Sequence, residues 1–308
     1  MDNDYIMVSV QCLAYNHEQY IRKCLDGLIS QKTNFKYEII IHDDASTDNT
    51  VSIIKEYEAK CPDIIKPIYE KENMYKKNQA KMRQIITERL KGKYIAFCEC
   101  DDYWTSPNKL QKQVDFLESH SDYSMCFHSA KKLYECDSIS WLRCEDIEDR
   151  DYTATEVFVN WIVPTASILC RREAIEYRSK MKGGNRIQNG DITIILSSAV
   201  IGKIRGMHEQ MSVYRVQSGG ITYDENAKKR RALKAPFHFE CLKDNFPIVD
   251  KSVLDDTISK TFFERARYLD SLSDKMDDYI KSFKYSPCRF FNMFFHSVLQ
   301  VLKYKKSY

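Results

Sequence analysis

Three short apolar runs, residues 6–14 (IMVSVQCLA), 37–42 (YEIIIH) and 94–98 (YIAFC), each break off in a cluster of polar residues. The segments between them carry apolar residues at helical spacing: Ile21, Leu25, Leu28 and Ile29 within 18–30, then Val51, Ile54 and Tyr57 after Asp48. Met82, Ile85, Ile86 and Leu90 follow within 77–91, and Leu110, Val114, Phe116 and Leu117 after Pro107. The apolar runs are too short for helices and too continuously apolar for strands with one wet face, so they predict strands buried on both sides. Residues 64–69 read as a weaker strand interrupted by Pro67, and residues 123–129 as another. Strands separated by helices of this length mean βαβ units. The expected fold is α/β: a mixed, largely parallel sheet flanked by helices, with Asp48 as the N-cap of its second helix.

Ligands of such sheets sit at the carboxyl edge of the strands. There the run at 94–98 is followed at once by Glu99, Asp101 and Asp102. Three carboxylates within four positions repel one another unless a cation joins them, and oxygen clusters are what Mg²⁺ or Mn²⁺ prefers. A solvated acidic loop is the plainer alternative. Asp43 and Asp44, after the second strand, fall on the same rim. A carboxylate there accepts from ribose hydroxyls or from the N3–H of uracil, a donor that cytosine lacks. No G-x-G-x-x-G or G-x-x-x-x-G-K-[ST] follows the first strand, which disfavours nicotinamide and P-loop enzymes.

A formal net charge of +3 with 30% charged residues offers no concentrated basic face, so nucleic acid is not an expected partner. The 11 cysteines are scattered without a C-x-x-C pair, which suits free thiols in a reducing cytoplasm; Cys98 and Cys100 read as strand packing. Asp2 and Asp4 stand where a signal peptide would be basic, and no apolar run approaches the length that crosses a bilayer.

With its motifs in view, the chain resembles a family 2 glycosyltransferase of the GT-A (Rossmann-like) fold, of the bacterial surface-polysaccharide type. The matching pieces are VSVQCLAYNHEQYIRKCLDGLISQ, YEIIIHDDASTDNT, GKYIAFCECDDYWTSPNKLQKQVDFLE, PTASILCRREAI, NGDITIIL and MSVYRVQSGGIT, in that order over about residues 6–222. The resemblance implies transfer of a hexosyl or N-acetylhexosaminyl group from a UDP-sugar to the hydroxyl of a glycan or lipid-linked glycan. It also implies inversion and help from Mn²⁺ or Mg²⁺. Carried over by position, Leu13, Ala14, Tyr15, Asn16 and Glu18 line the nucleotide pocket, and Asp44, with Asp43 beside it, takes the uracil or ribose. Glu99-Cys100-Asp101-Asp102 is the acidic motif, with Asp101 and Asp102 on cation and ribose and Glu99 in place of the usual first Asp. Thr165, Ala166 and Ser167 flank donor sugar and acceptor, and Asp191 is the base. Taken alone, Asn-Gly-Asp before an apolar run is also a helix start. Arg215 and the Gly219-Gly220 pair suit a loop over phosphates. Gln217 stands where relatives carry a His that completes the metal shell, and its carbonyl oxygen is a weaker ligand than imidazole for transition metals.

Elsewhere the sequence is less regular. Residues 136–151, rich in acids and without periodicity, read as an exposed or mobile loop. Trp161 either stacks on a sugar ring or packs in the core. The expected organisation is a catalytic domain over 1–222 and a helical extension over 223–308. Residues 281–308 carry six Lys or Arg, no Asp or Glu and eight aromatics. Such a helix either docks on the domain or lies on an anionic membrane. The expected place is the cytoplasm, with this tail as a contact to the inner face of the plasma membrane. A non-catalytic nucleotide-sugar-binding partner of a glycan-assembly complex is the alternative that Glu99 and Gln217 leave open.

Overall fold

The computed structural model describes residues 5–135, 143–217 and 225–305. Its first half alternates as the pattern requires: β1 (Val8–Ala14), α1 (Ile21–Ile29), β2 (Tyr37–Asp43), α2 (Thr50–Lys60), β3 (Ile65–Tyr69), α3 (Met74–Lys77), α4 (Gln79–Arg89) and β4 (Tyr94–Phe97). Then come β5 (Tyr103–Trp104), α5 (Lys109–Ser119), β6 (Tyr123–Tyr134), β7 (Asp151–Tyr152), α6 (Ala154–Asn160), β8 (Leu169–Arg171), α7 (Arg172–Ser179), α8 (Gly190–Ile201) and β9 (Lys203–Val216). The chain ends in α9 (Glu225–Asn245), α10 (Lys251–Ala266), α11 (Leu272–Tyr285) and α12 (Pro287–Lys305).

The strands form one sheet in the order β3-β2-β1-β4-β8-β6-β9-β5, with β7 paired to β9. The first four are mutually parallel, so their carboxyl ends share one rim. β8 then runs antiparallel to both β4 and β6, while β6 and β9 are parallel to each other. The sheet is thus mixed, with the parallel portion where the βαβ units lie. Pro67 is accommodated because β3 is the edge strand and pairs only with β2, leaving the side without an N–H unpaired.

Local bonding explains where elements begin. α1 starts at Ile21, not at residue 18, because Asn16 adopts a left-handed φ of 55° and the His17 carbonyl accepts from the N–H groups of Tyr20 and Ile21. In α2 the cap position is Asn49; Asp48, one residue earlier, accepts from Thr50 N–H through Oδ1 at 2.9 Å. β6 runs on to Tyr134 because β9 pairs with its whole length, a partner some eighty residues away. Residues 136–142 lie outside the described residues, but the rest of the stretch read as a loose loop is anchored. Cys144 and Ile147 are buried, Ala130 N–H donates to the Cys144 carbonyl at 2.7 Å and Ile147 N–H to Ser129 Oγ at 2.9 Å.

The core lies between β1, β2 and β4 and the helices on the sheet, with Ile21, Cys24, Leu25 and Leu28 of α1 fully buried. α1 comes so close to β5 that a Cβ on Gly27 would stand 2.5 Å from the Trp104 carbonyl oxygen. Backbone on both sides cannot yield cheaply. Gly27→Ala is therefore expected to destabilise the protein by about 1–3 kcal/mol despite the better helix propensity of alanine, read as a fall in urea midpoint. An unchanged midpoint would disprove the close approach.

The chain divides into two compact units, Met1–Lys180 with Asp191–Ser218, and Met181–Gly190 with Gly219–Tyr308. The second has its own core, including Leu254, Ile258, Phe262 and Phe263 of α10 and Cys241 and Leu242 of α9. Ser259 and Ser282 hydroxyls meet at 3.1 Å between α10 and α11, and Arg265 pairs with the buried Asp278 at 3.0 Å.

Candidate active site

The loops after β1 and β2 are laced together on the rim. Asn16 Oδ1 accepts from Thr47 N–H at 2.8 Å, and Asn16 N–H donates to Ser46 Oγ at 3.0 Å. Glu18 Oε2 accepts from the backbone and side-chain amides of Asn49 at 2.9 and 2.8 Å. Both side chains are thus spent on loop architecture. Asp43 likewise folds its own turn, accepting from Ser46 Oγ at 2.5 Å and Ser46 N–H at 3.1 Å. Asp44 accepts from the N–H groups of Met74 and Tyr75 at 2.6 and 3.0 Å, seating the start of α3. A carboxylate has about four acceptor sites, so Asp44 keeps capacity for another donor. Leu13 is half-buried and Ala14 buried, and Tyr15 is exposed with Lys76 Nζ 5.9 Å from its ring centroid.

β4 delivers the acidic motif onto this rim. Cys100 is fully buried and belongs to the core with Cys12, Cys24 and Cys98; only its backbone can face a nucleotide. Its N–H donates to the Leu13 carbonyl at 3.1 Å, and the Cys24 and Cys98 sulfurs lie 3.8 Å apart. β9 then clamps the motif. Asp102 Oδ1 accepts from Arg215 N–H at 2.8 Å, Arg215 Nε donates to the Asp101 carbonyl at 2.7 Å, and Gln217 Nε2 donates to Asp101 Oδ2 at 2.9 Å. The guanidinium of Arg215 is buried, paired with Glu135 and laid over the Tyr20 ring at 4.6 Å. Arg215 thus holds the acidic loop; its charge is met by Glu135. Gly219 and Gly220 lie outside the described residues.

Asp191 opens α8, where its Oδ1 accepts from Ile192 N–H at 2.8 Å. Burial raises its carboxyl above the usual range, against the pull of backbone N–H groups and of Arg178. It lines a small void with Val157, Trp161, Val163, Ile192 and Ile195, and Trp161 itself packs on the buried Ala130 and Cys144, the core role that the sequence also allowed. Glu99 links the two groups of acids: burial, then Asp101, then Asp191 push its carboxyl up to about 8. Burial and the adjacent Asp101 likewise hold Asp102 well above the carboxylate range. Residues 101 and 191, ninety positions apart in sequence, therefore both act on the Glu99 carboxyl.

The 165–167 segment is a 3₁₀ turn in which Ala166 and Ser167 are fully buried and only Thr165 is half-exposed. The Ala166 carbonyl accepts from Trp104 Nε1 at 2.8 Å and the Ser167 carbonyl from Gln113 Nε2 at 2.9 Å, so the segment is a fixed wall. Sequence reasoning missed Glu135, Tyr20 and Arg178. Arg178 Nε donates to Thr193 Oγ1 at 2.8 Å, two residues along from Asp191. No local pattern marks any of the three.

Among the described residues no three His, Cys, Asp or Glu side chains converge on one point as metal ligands. The donor chemistry fits a hard divalent cation at Asp101 only in part: a half-buried carboxylate with two more carboxyls in the same loop suits one, whereas the Gln217 amide turns its N–H rather than its oxygen to that carboxylate. Glu99 and Asp102 flank that point, and Asp102 is turned inward onto Arg215.

Residues 9–178 match the model of glycosyl transferase family 2. An uncharacterised protein of Mycobacterium tuberculosis (strain H37Rv) is 34% identical over 231 residues, 73% of this chain and 63% of that one. The chain thus spans less than two thirds of this relative's length. The UDP-Glc:alpha-D-GlcNAc-diphosphoundecaprenol beta-1,3-glucosyltransferase WfaP of Escherichia coli is 37% identical over 113 residues, 37% of this chain and 42% of that one. In fold, Staphylococcus aureus TarS 1–349, solved with UDP-GlcNAc, superposes with a TM-score of 0.64 at 15% identity, covering 92% of this chain and 83% of that one.

Proposed function

Because the chain belongs to glycosyl transferase family 2, we propose that it moves a hexosyl or N-acetylhexosaminyl group from a UDP-sugar to an acceptor hydroxyl, with inversion, in surface-polysaccharide synthesis. What supports this reading is that Asp101 and Asp191 both act on the Glu99 carboxyl, as a metal-binding acid and a proton acceptor facing one space would. The uridine belongs on the rim between the β1 and β2 loops, where Asp44 has acceptor sites to spare. Mg²⁺ or Mn²⁺ would be held by Asp101, with Gln217, Glu99 and Asp102 around it, and would supply charge stabilisation for the departing diphosphate. Arg215 keeps that loop in place, its backbone N–H donating to the Asp102 carboxylate and its Nε to the Asp101 carbonyl.

Across the space, the Asp191 carboxylate takes the proton of the acceptor hydroxyl. The acceptor oxygen forms its bond to the anomeric carbon from the face opposite the diphosphate, and the bond to UDP breaks with its electron pair. Burial makes Asp191 a stronger base than an exposed carboxylate. The name of the E. coli relative supports a lipid-linked glycan as acceptor.

UDP-sugar hydrolysis tests the reading. It is expected to require Mg²⁺ or Mn²⁺, to fall about a hundredfold on chelation and to return when metal is restored. UDP binding by calorimetry without any turnover would overturn it in favour of a non-catalytic nucleotide-sugar-binding partner, the reading that Glu99 and Gln217 leave open.

A further inference from the structure

The second unit ends in an apolar surface that its own core does not cover. On α11, Leu272, Met276, Ile280 and Phe283 recur at a spacing of four, four and three residues, which places them in one stripe. All are exposed, Leu272 to 75%. On α12, Phe291, Phe294, Phe295 and Leu299 are exposed as well, Phe295 to 61%. The two helices are joined at Phe283, whose ring meets Phe290 at 5.8 Å and Phe291 at 5.7 Å. Phe290 also turns inward to Phe263 of α10 at 5.7 Å, so α12 is seated by that residue while its outer aromatics stay uncovered. Eight large apolar side chains within 28 residues form a patch of the kind that marks an interaction site, since soluble surfaces normally carry such residues singly.

Charge indicates what covers it. From Tyr279 to the end of the sequence there is no Asp or Glu, while Lys281, Lys284, Arg289, Lys303, Lys305 and Lys306 are all basic. Lys284 and Arg289, at the junction of the two helices, are exposed beside the patch. The exposed acids of α11, Asp274 and Asp277, are confined to its first half, so the junction of the two helices and α12 present cations without acids, which two copies packed there would set against each other. An anionic leaflet satisfies both halves: acyl chains take the aromatics and headgroup phosphates take the cations. Among the described residues no helix is long and apolar enough to cross a membrane, so the contact is one of lying on the surface.

We propose that α11 and α12 together form a two-helix platform that docks this chain on an anionic phospholipid surface. The platform deepens the reading of a lipid-linked acceptor, and it rests on that reading only for its purpose. Vesicle binding is measured without turnover, so the two can fail separately.

The test is co-sedimentation of the full chain with vesicles of phosphatidylcholine alone or mixed with phosphatidylglycerol. Binding is expected only to the mixed vesicles, and to weaken about fivefold in each of Lys284→Gln and Arg289→Gln. Met276→Ser/Ile280→Ser on α11 and Phe294→Ser/Phe295→Ser on α12 are each expected to weaken it tenfold or more, about the loss of two buried apolar side chains. Circular dichroism and UDP-sugar hydrolysis in solution should match the parent, because these residues touch neither core nor site. Loss in the α12 pair alone would overturn the platform and leave a single-helix tail. Equal binding to neutral vesicles would overturn the charge argument. Absence of vesicle binding, with a dimer in sedimentation equilibrium that both pairs dissociate, would assign the face to a second copy.

Discussion

Asp191→Asn lowers turnover of glycosyl transfer about a thousandfold, while the KM for the UDP-sugar stays within about twofold of the parent. The expectation follows from what the substitution keeps. Asparagine at the start of α8 still presents Oδ1 to the Ile192 N–H, so the helix start survives and only some interaction with the helix dipole is lost, about 0.3–1 kcal/mol. What disappears is the basic oxygen, since an amide does not accept a proton at neutral pH. The plain helix-start role and the role as base therefore separate in two readouts. A helix-start residue would show a lowered urea midpoint with turnover intact once folded. A base shows an unchanged midpoint with turnover lost. Replacing Asp191 should also relieve Glu99 of one repelling neighbour without moving the Asp101 clamp, so UDP affinity is a third measurement that should hold steady. Turnover within tenfold of the parent would remove Asp191 from the mechanism.

The residues that sequence made legible are those whose signal is local. The buried runs before Asp43 and Glu99 fixed β2 and β4, and their polar exits fixed the rim, because strand burial and chain reversal are written in adjacent residues. Asp101 and Gln217 were singled out through the order of their motifs, and they meet at 2.9 Å, while Asp191 reaches the motif through its effect on Glu99. Roles that depend on a distant partner were not legible. Arg215 stood as a phosphate ligand until Glu135, eighty positions earlier, and the Asp101 carbonyl took up its guanidinium. Ala166 and Ser167 stood at the sugar until Trp104 and Gln113 drew their carbonyls into the wall. Glu18 and Asn16 stood in the nucleotide pocket, yet their acceptors serve the β2–α2 loop. In each case the residue was placed near the site and its side chain was committed by a contact that no spacing rule encodes.

A buried lysine supplies the other large expected effect. Lys109, the first residue of α5, is fully buried; its Nζ donates to Gln113 Oε1 at 2.7 Å and lies 4.1 Å from the Trp104 ring centroid. Burial pulls its pKa down from 10.5 to about 7. Between about pH 7 and 10.5 the unfolded chain therefore holds a proton that the folded protein has released, and stability from this group rises with pH across that window, by on the order of 5 kcal/mol in all. Lys109→Met removes the dependence. At pH 7 it should stabilise the protein by a few kcal/mol, that gain less about 1–3 kcal/mol for the Gln113 oxygen left without its donor, and the advantage should shrink toward pH 10. The buried thiols of Cys12 and Cys126, raised to about 12, act in the opposite direction above pH 9, so the quantity to measure is the difference between parent and variant in urea unfolding at each pH. A difference independent of pH would mean that Lys109 folds with its proton on. The cost of keeping it has a counterpart in the site. Lys109 orients Gln113, Gln113 holds the Ser167 carbonyl, and Trp104 holds that of Ala166, so the variant should gain stability while its 165–167 wall loosens and transfer falls by several-fold.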